Sequence, residues 1–280
     1  MKVYCKLLVL IVFLTSGPVL SAAQKDTLRI LAIGNSFSVN AVEQNLHSIA
    51  EAQGKCAIIG NLYIGGCSLE RHWNNAKDDA PAYSYRKINC YGVRTVEPGM
   101  SISRALKDEK WDVVTFQQAS HFSGLLDTYE PFLSDLYAYV RAGVSPETVF
   151  YWHQTWAYAA DSGHKAFPNY DRDQNKMYSM IMAASSKACR DHGLGIIPCG
   201  TAIQNGRGTA IGDSFNVPDG FHLNELGCYV AACTWFRVLF EESVSGNSFR
   251  PQFVSEENRV IAQKCADAAA GKPFSVKKIK

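Results

Sequence analysis

The sequence predicts an α/β fold, a three-layer α/β/α sandwich built on a five-stranded parallel sheet. Short apolar runs recur along the chain, each followed by a stretch of helical spacing, the alternation of strand and crossover helix that a parallel sheet requires. The runs are apolar throughout rather than at alternate positions, as suits strands buried on both faces. The 280 residues are 47% hydrophobic and 19% charged, a composition that supports a buried core and excludes a disordered or fibrous chain.

Lys2 and Lys6 precede an apolar run from Leu7 to Leu14, and Ser21-Ala22-Ala23 precede Gln24. This is the basic, apolar and small-residue order of a secretory signal peptide. Residues 1–23 are therefore expected to be removed and residues 24–280 to form one domain, exported to the periplasm or the cell exterior. A retained N-terminal anchor is the alternative. The run is too short for a membrane span, and no later segment approaches the roughly 18 to 20 apolar residues that one needs. No Pro/Ser-rich linker, charge block or internal repeat marks a second domain.

The five expected strands are Ile30–Ile33, Ala57–Ile64, Val113–Phe116, Val149–Trp152 and Ile196-Ile197. Val42, Leu46 and Ile49 recur at helical spacing after the first and stop near Gly54, which can cap the helix. Phe132, Leu136 and Val140 before Gly143 predict a helix between strands three and four. Met177, Ile181, Ala184 and Ala188 before Gly193 predict another between strands four and five. Glu225 to Glu241 reads as a closing helix. Two stretches read as irregular, Cys67 to about Gly99 and Ala157 to Asp173. Both follow strands at the carboxyl edge, where open α/β sheets bind ligands.

Formal net charge is +2, and the leader carries two lysines and no acids, so the mature chain is nearly neutral. That balance, with no basic stripe, argues against nucleic acid as a partner and points to a small molecule or glycan. Nine cysteines are present; Cys5 falls in the leader, ahead of the apolar run and not where a lipoprotein cysteine would lie. The other eight permit disulfides, but 105 pairings are open to them, and buried free thiols are equally compatible. None is spaced as a zinc ligand.

Gly34-Asn35-Ser36-Phe37-Ser38 lies between the first strand and its helix. Ser36 there can serve as a helix cap, or as a nucleophile exposed at the sheet edge with its N–H facing a developing oxyanion. Pro218-Asp219-Gly220-Phe221-His222-Leu223 follows strand five. An aspartate three residues before a histidine can hold one imidazole tautomer and leave the other nitrogen to accept a proton. Among the remaining histidines only His153, at the end of strand four, has a comparable setting.

An early serine and a late Asp-x-x-His at the two ends of one α/β domain resemble the SGNH/GDSL hydrolase superfamily. The likeness runs over about residues 27–240 and looks nearest to a bacterial branch with Gly-Asn-Ser-Phe-Ser and Asp-Gly-Phe-His-Leu motifs. It implies a flavodoxin-like strand order 2-1-3-4-5, Ser36 as nucleophile, His222 as base and Asp219 as its partner. The oxyanion hole would combine the N–H groups of Ser36 and Gly66, the latter from Gly65-Gly66-Cys67-Ser68. The family's third block, Gly-x-Asn-Asp, is replaced here by Gln117-Gln118-Ala119-Ser120. A glutamine amide offers the same donors on a longer arm, so Gln118 is assigned to the hole, with Gln117 or Ser120 as alternatives. No metal or organic cofactor is needed for such chemistry.

Trp73, beside Arg71 and His72, and the run Trp152-His153-Gln154-Thr155-Trp156 place aromatic rings next to amides near the carboxyl edge. Trp73, His153, Gln154 and Trp156 are therefore the expected substrate-binding residues, flat rings and amides suiting sugar faces, although Trp152 and Trp156 also suit core packing. The expected activity is hydrolysis of small acyl esters, acetyl on carbohydrate being the leading substrate. A non-catalytic carbohydrate-binding protein on the same scaffold and an acyltransferase using the same triad are the alternatives.

Overall fold

The computed structural model describes residues 27–279; the expected signal peptide and Cys5 lie outside them. In chain order the elements are β1 (Thr27–Gly34), α1 (Ser36–Ser38), α2 (Leu46–Ala52), β2 (Cys56–Tyr63), α3 (Leu69–Lys77), β3 (Tyr83–Ile88), β4 (Arg94–Met100), α4 (Ile102–Leu106) and β5 (Val113–Phe116). They continue with α5 (Phe132–Ala142), β6 (Val149–His153), α6 (Gln174–His192), β7 (Gly195–Ile197), α7 (Cys199–Arg207), α8 (Glu225–Leu239) and α9 (Glu256–Gly271). Alternate residues of β1 enter opposite cores. Ile30 and Ala32 pack with α2, α7, α8 and α9, while Leu31 and Ile33 pack with α3, α4 and α5. The three layers follow from that alternation.

The sheet has seven strands in the order β4-β3-β2-β1-β5-β6-β7, and it is mixed. Its five parallel strands keep the expected 2-1-3-4-5 order. The all-parallel five-stranded sheet is corrected by the antiparallel hairpin β3–β4, which extends the edge beyond β2. This hairpin and α3 occupy much of the stretch read as irregular. Tyr83, Tyr85 and Ile88 turn inward between polar neighbours, but Tyr, Arg and Lys mask the alternation, and β4 is an exposed edge strand carrying Pro98.

The hairpin is fastened to the parallel part of the sheet twice. A disulfide joins Cys56, at the start of β2, to Cys90 in the hairpin turn, closing a 34-residue separation. A loop of that size restricts the unfolded chain by about 3–4 kcal/mol. The other described cysteines are reduced, and all except half-buried Cys189 are buried. Arg86 of β3 lies over the Tyr63 ring and reaches the buried Glu43 at 3.3 Å. Glu43 in turn accepts from Asn61, whose carbonyl faces the Ser38 hydroxyl. This polar chain runs from the sheet edge to the turn after β1.

The helix expected after β1 is broken into α1, a π-helical turn over Val39–Glu43, and α2. The helix expected to close the fold ends at Leu239 rather than Glu241, and α9 packs across it. α9 escapes a search for large apolar stripes because its inward face is Ala262, Cys265, Ala266 and Ala269. α7 is hidden by Gly200 and Gly206, poor helix formers held by close packing: a Cβ on Gly200 would sit 2.2 Å from Thr155 O. Among the described residues no helix is long and apolar enough to cross a membrane.

Candidate active site

Each residue of Gly34–Ser38 has a distinct structural task. A Cβ on Gly34 would lie 2.5 Å from Ser38 Oγ, so only glycine admits the Ser38 hydroxyl, which reaches Asn35 O at 2.7 Å. Asn35 is the helix cap: its Oδ1 accepts from Phe37 N at 3.0 Å, and its Nδ2 donates to Cys67 O at 3.1 Å. The cap role open to Ser36 is thus filled by its neighbour. Ser36 is half-exposed at the first helical position, where no preceding carbonyl meets its N–H. The Asn35–Cys67 bond sets this turn beside the β-turn closed by Cys67 N to Ile64 O, in which Gly66 is exposed and left-handed at φ +61.

His222 Nδ1 is 2.7 Å from Asp219 Oδ2, and Asp219 Oδ1 accepts from the N–H groups of both Phe221 and His222 at 2.9 Å. Burial alone would raise the Asp219 pKa; the Phe221 N–H and the His222 ring, N–H and charge outweigh it and hold the carboxyl below its ordinary range. With Asp219 ionised, Nδ1 is the protonated ring nitrogen and Nε2 is left as a proton acceptor. Gly220, at φ +75, lets the loop lie against Ser162, whose Cβ would be 2.7 Å from an added Cβ.

Two contacts bring this loop to the Ser36 turn. Asn40, one turn after Ser36, accepts from Leu223 N at 3.1 Å, and the Phe37 ring lies edge-on to His222 at 6.0 Å between centroids. Trp156 completes the assembly: it stacks on Phe37 at 4.2 Å and donates from Nε1 to Phe221 O at 2.9 Å. It is fully buried, so this expected substrate platform is a bracket between the two motifs. Trp156→Ala is expected to cost about 3–5 kcal/mol, read as a lowered denaturation midpoint, and to reduce turnover as well. Trp156→Phe should retain the stack and lose only the bond to Phe221 O.

The Gln118 amide is committed elsewhere. Its Nε2 donates to Thr128 O and Oγ1 at 3.0 and 3.2 Å, and its Oε1 accepts from Leu69 N and Ala119 N at 3.0 and 2.8 Å. The side chain assigned to the oxyanion hole instead braces the start of α3. Gln117 donates to Asn35 Oδ1 at 2.8 Å, and the Ser120 hydroxyl pairs with Tyr158 OH. Gln117 Oε1 also meets His153 Nδ1 at 2.8 Å, so a buried chain runs His153–Gln117–Asn35–Cys67 beneath the site.

His153 and Gln154 are buried and do not face substrate. Gln154 Oε1 accepts from Thr201 N and Oγ1, fixing the start of α7. Trp73 is half-buried and packs edge-on to Tyr139 between α3 and α5. Of the two stretches read as irregular, residues 157–173 lie at the carboxyl edge with Tyr158, Phe167 and Tyr170 packed inward, whereas residues 67–99 leave that edge and run back along the hairpin to the amino end of β2, where Cys90 meets Cys56 and Tyr91 is exposed. Burial depresses the His153 pKa to about 3. Its unfolded value is near 6.5, so the unfolded chain binds more protons between those limits and stability is lost as pH falls from 6.5 toward 3. Thermal midpoints measured from pH 7.5 to 4 should fall, and His153→Gln, which can still donate to Gln117, should flatten the slope.

His164 is the residue beside the two motifs that sequence reasoning missed. His164 packs edge-on to Phe221 at 4.8 Å, and Phe221 lies 4.2 Å from the His222 ring. Burial first, then the charges of Lys165 and His222, lower the His164 pKa against the opposing pull of Asp219; burial and the charges of His164 and Lys165 lower that of His121. The available signal was position: His164 follows a strand at the same sheet edge as Ser36. Arg207 secures this neighbourhood through Asp213 at 2.7 Å and the carbonyls of Ala157 and Tyr158.

The fold is similar to that of SGNH hydrolases. A candidate SGNH hydrolase from Slackia heliotrinireducens matches at TM-score 0.52 and 21% identity over 74% of this chain and 96% of its own. A catalytic mutant of Axe2, an acetylxylan esterase from Geobacillus stearothermophilus, matches at TM-score 0.51 and 11% identity over 76% and 94%. These likenesses concern the fold. No curated protein matches the sequence. A much nearer likeness is the crystal structure of a DUF4886 family protein from Bacteroides uniformis, at TM-score 0.89 and 48% identity over 91% of this chain and 98% of that one. The model of that family, a domain of unknown function, matches residues 29–269, and the chain belongs to the DUF4886 family.

Proposed function

We propose that the protein is an exported serine esterase that removes small acyl groups, acetyl above all, from carbohydrate. The observation that carries this reading is the junction of the two motifs: the Asp219–His222 pair is held against the Ser36 turn by Asn40–Leu223 and by the Phe37–Trp156 stack. His222 Nε2 takes the Ser36 proton as Oγ attacks the acyl carbonyl, and Asp219 stabilises the imidazolium. The N–H groups of Ser36 and Gly66 receive the oxyanion. His222 then protonates the departing alcohol, and water releases the acyl group by the reverse proton path. Gln118 serves this site by positioning, since it fixes Leu69 just beyond the Gly66 turn.

The near-neutral mature chain and a fold shared with an acetylxylan esterase support a glycan ester, and the Cys56–Cys90 bridge supports an oxidising compartment. A fluorophosphonate probe tests the nucleophile. It should label the native protein at Ser36, label His222→Ala much more slowly, and leave Ser36→Ala unmarked. A folded native protein that resists labelling at Ser36 would refute the esterase reading and favour a carbohydrate-binding protein on a hydrolase scaffold, to which the committed Gln118 amide already lends weight.

A further inference from the structure

We infer that the protein binds a neutral glycan chain along two adjoining cavities that start beside His222 and end at Phe253. The inference rests on the esterase reading, since the acylated sugar would enter from this groove. The first cavity, of about 340 Å³, begins where Asn40 meets Leu223 and is lined further by Gln44 and Asn45. The second, of about 510 Å³, is lined by Ile211, Phe253 and Asn258. Asn224 and Glu225, at the start of α8, wall both. Each volume falls in the range of small-ligand sites.

The chemistry of the walls selects the ligand. Carboxamides predominate among the polar groups: Asn224 is engaged by Ser214 O, Asn216 O and Gly227 N, and Asn40 Oδ1 by Leu223 N, while the Gln44 and Asn258 amides offer the donors and acceptor that a sugar hydroxyl needs. Asn45, only 6% exposed and with its Nδ2 sealed from solvent, shapes the wall of the first cavity, and the accessible amides are those of Gln44 there and of Asn258 in the second. The π-helical turn after Ser36 carries Asn40 to this wall; such turns frequently mark functional sites. Phe253 is 83% exposed and is held by its N–H to Glu225 Oε2 at 2.9 Å. An exposed aromatic ring beside a polar cavity suits the apolar face of a pyranose. Glu225 is the one charged side chain among the lining residues, so acidic sugars meet a like charge and neutral ones do not.

The test uses Ser36→Ala protein, so that turnover cannot consume the ligand, in affinity electrophoresis through neutral xylan, neutral glucomannan and polygalacturonate. Retardation by a neutral glycan but not by polygalacturonate is expected, with Ser36→Ala/Phe253→Ala weakened at least tenfold at an unchanged melting midpoint. Absence of retardation by both neutral glycans, equal retardation after loss of Phe253, or preference for polygalacturonate would each overturn the groove. Aryl acetate turnover and probe labelling of the unsubstituted protein report separately on the esterase reading, so either conclusion can fail without the other.

Discussion

Ser36→Ala is expected to lower kcat toward aryl acetates by about 10⁶-fold, the scale of losing a nucleophile whose partners act as a unit, while leaving stability nearly untouched. The separation of the two effects is the informative part. Ser36 is half-exposed and Asn35 performs the capping, so the change should stay within about 0.5 kcal/mol, as for other surface positions. Were Ser36 the cap, alanine would cost about 1 kcal/mol and no activity. Asn35→Ala should show the inverse balance, with a clear loss of stability, because it removes the cap and the bond to Cys67 together. Steady-state kinetics beside thermal denaturation of the two variants distinguishes the roles.

Asp219→Asn is the second large effect, a fall of about 10⁴-fold in kcat. An asparagine can keep its oxygen on the N–H groups of Phe221 and His222, which preserves the loop, but it then presents an NH₂ to His222 Nδ1. Two donors cannot share that position, so the ring adopts the tautomer with its proton on Nε2, the atom that must accept from Ser36. The measurement is kcat/KM against pH, together with a circular dichroism spectrum matching the native protein. A loss of less than about tenfold would remove Asp219 from the catalytic set.

The parallel core of the fold was legible because buried strands announce themselves as unbroken apolar runs, and Ile30–Ile33 and Val113–Phe116 are such runs. The hairpin β3–β4 was not, since an edge element needs only one inward face and Tyr83-Ser84-Tyr85-Arg86 supplies it with residues that also suit loops. The turns that carry Ser36 and His222 were legible as loops between strand and helix because Gly34, Asn35, Asp219 and Gly220 act locally, through close packing, a cap, a positive φ and bonds two or three residues long. Gln118, Gln154 and Trp156 mislead for the opposite reason. Their partners Thr128, Thr201 and Phe221 are 10 to 65 residues away, and an amide or indole looks the same in a sequence whether it faces substrate or a distant carbonyl.

The Arg86–Glu43 contact has a consequence for how this scaffold can change. Trimming the chain to its five parallel strands would delete Arg86 and leave Glu43 as a nearly buried carboxylate with Asn61 as its remaining partner. Leaving a nearly buried carboxylate without its cation is destabilising, and here the cost would fall on the π-helical turn immediately behind Ser36. The hairpin is therefore no optional ornament that recombination or design could strip away. A viable minimal version would have to replace Glu43 with an uncharged residue in the same step.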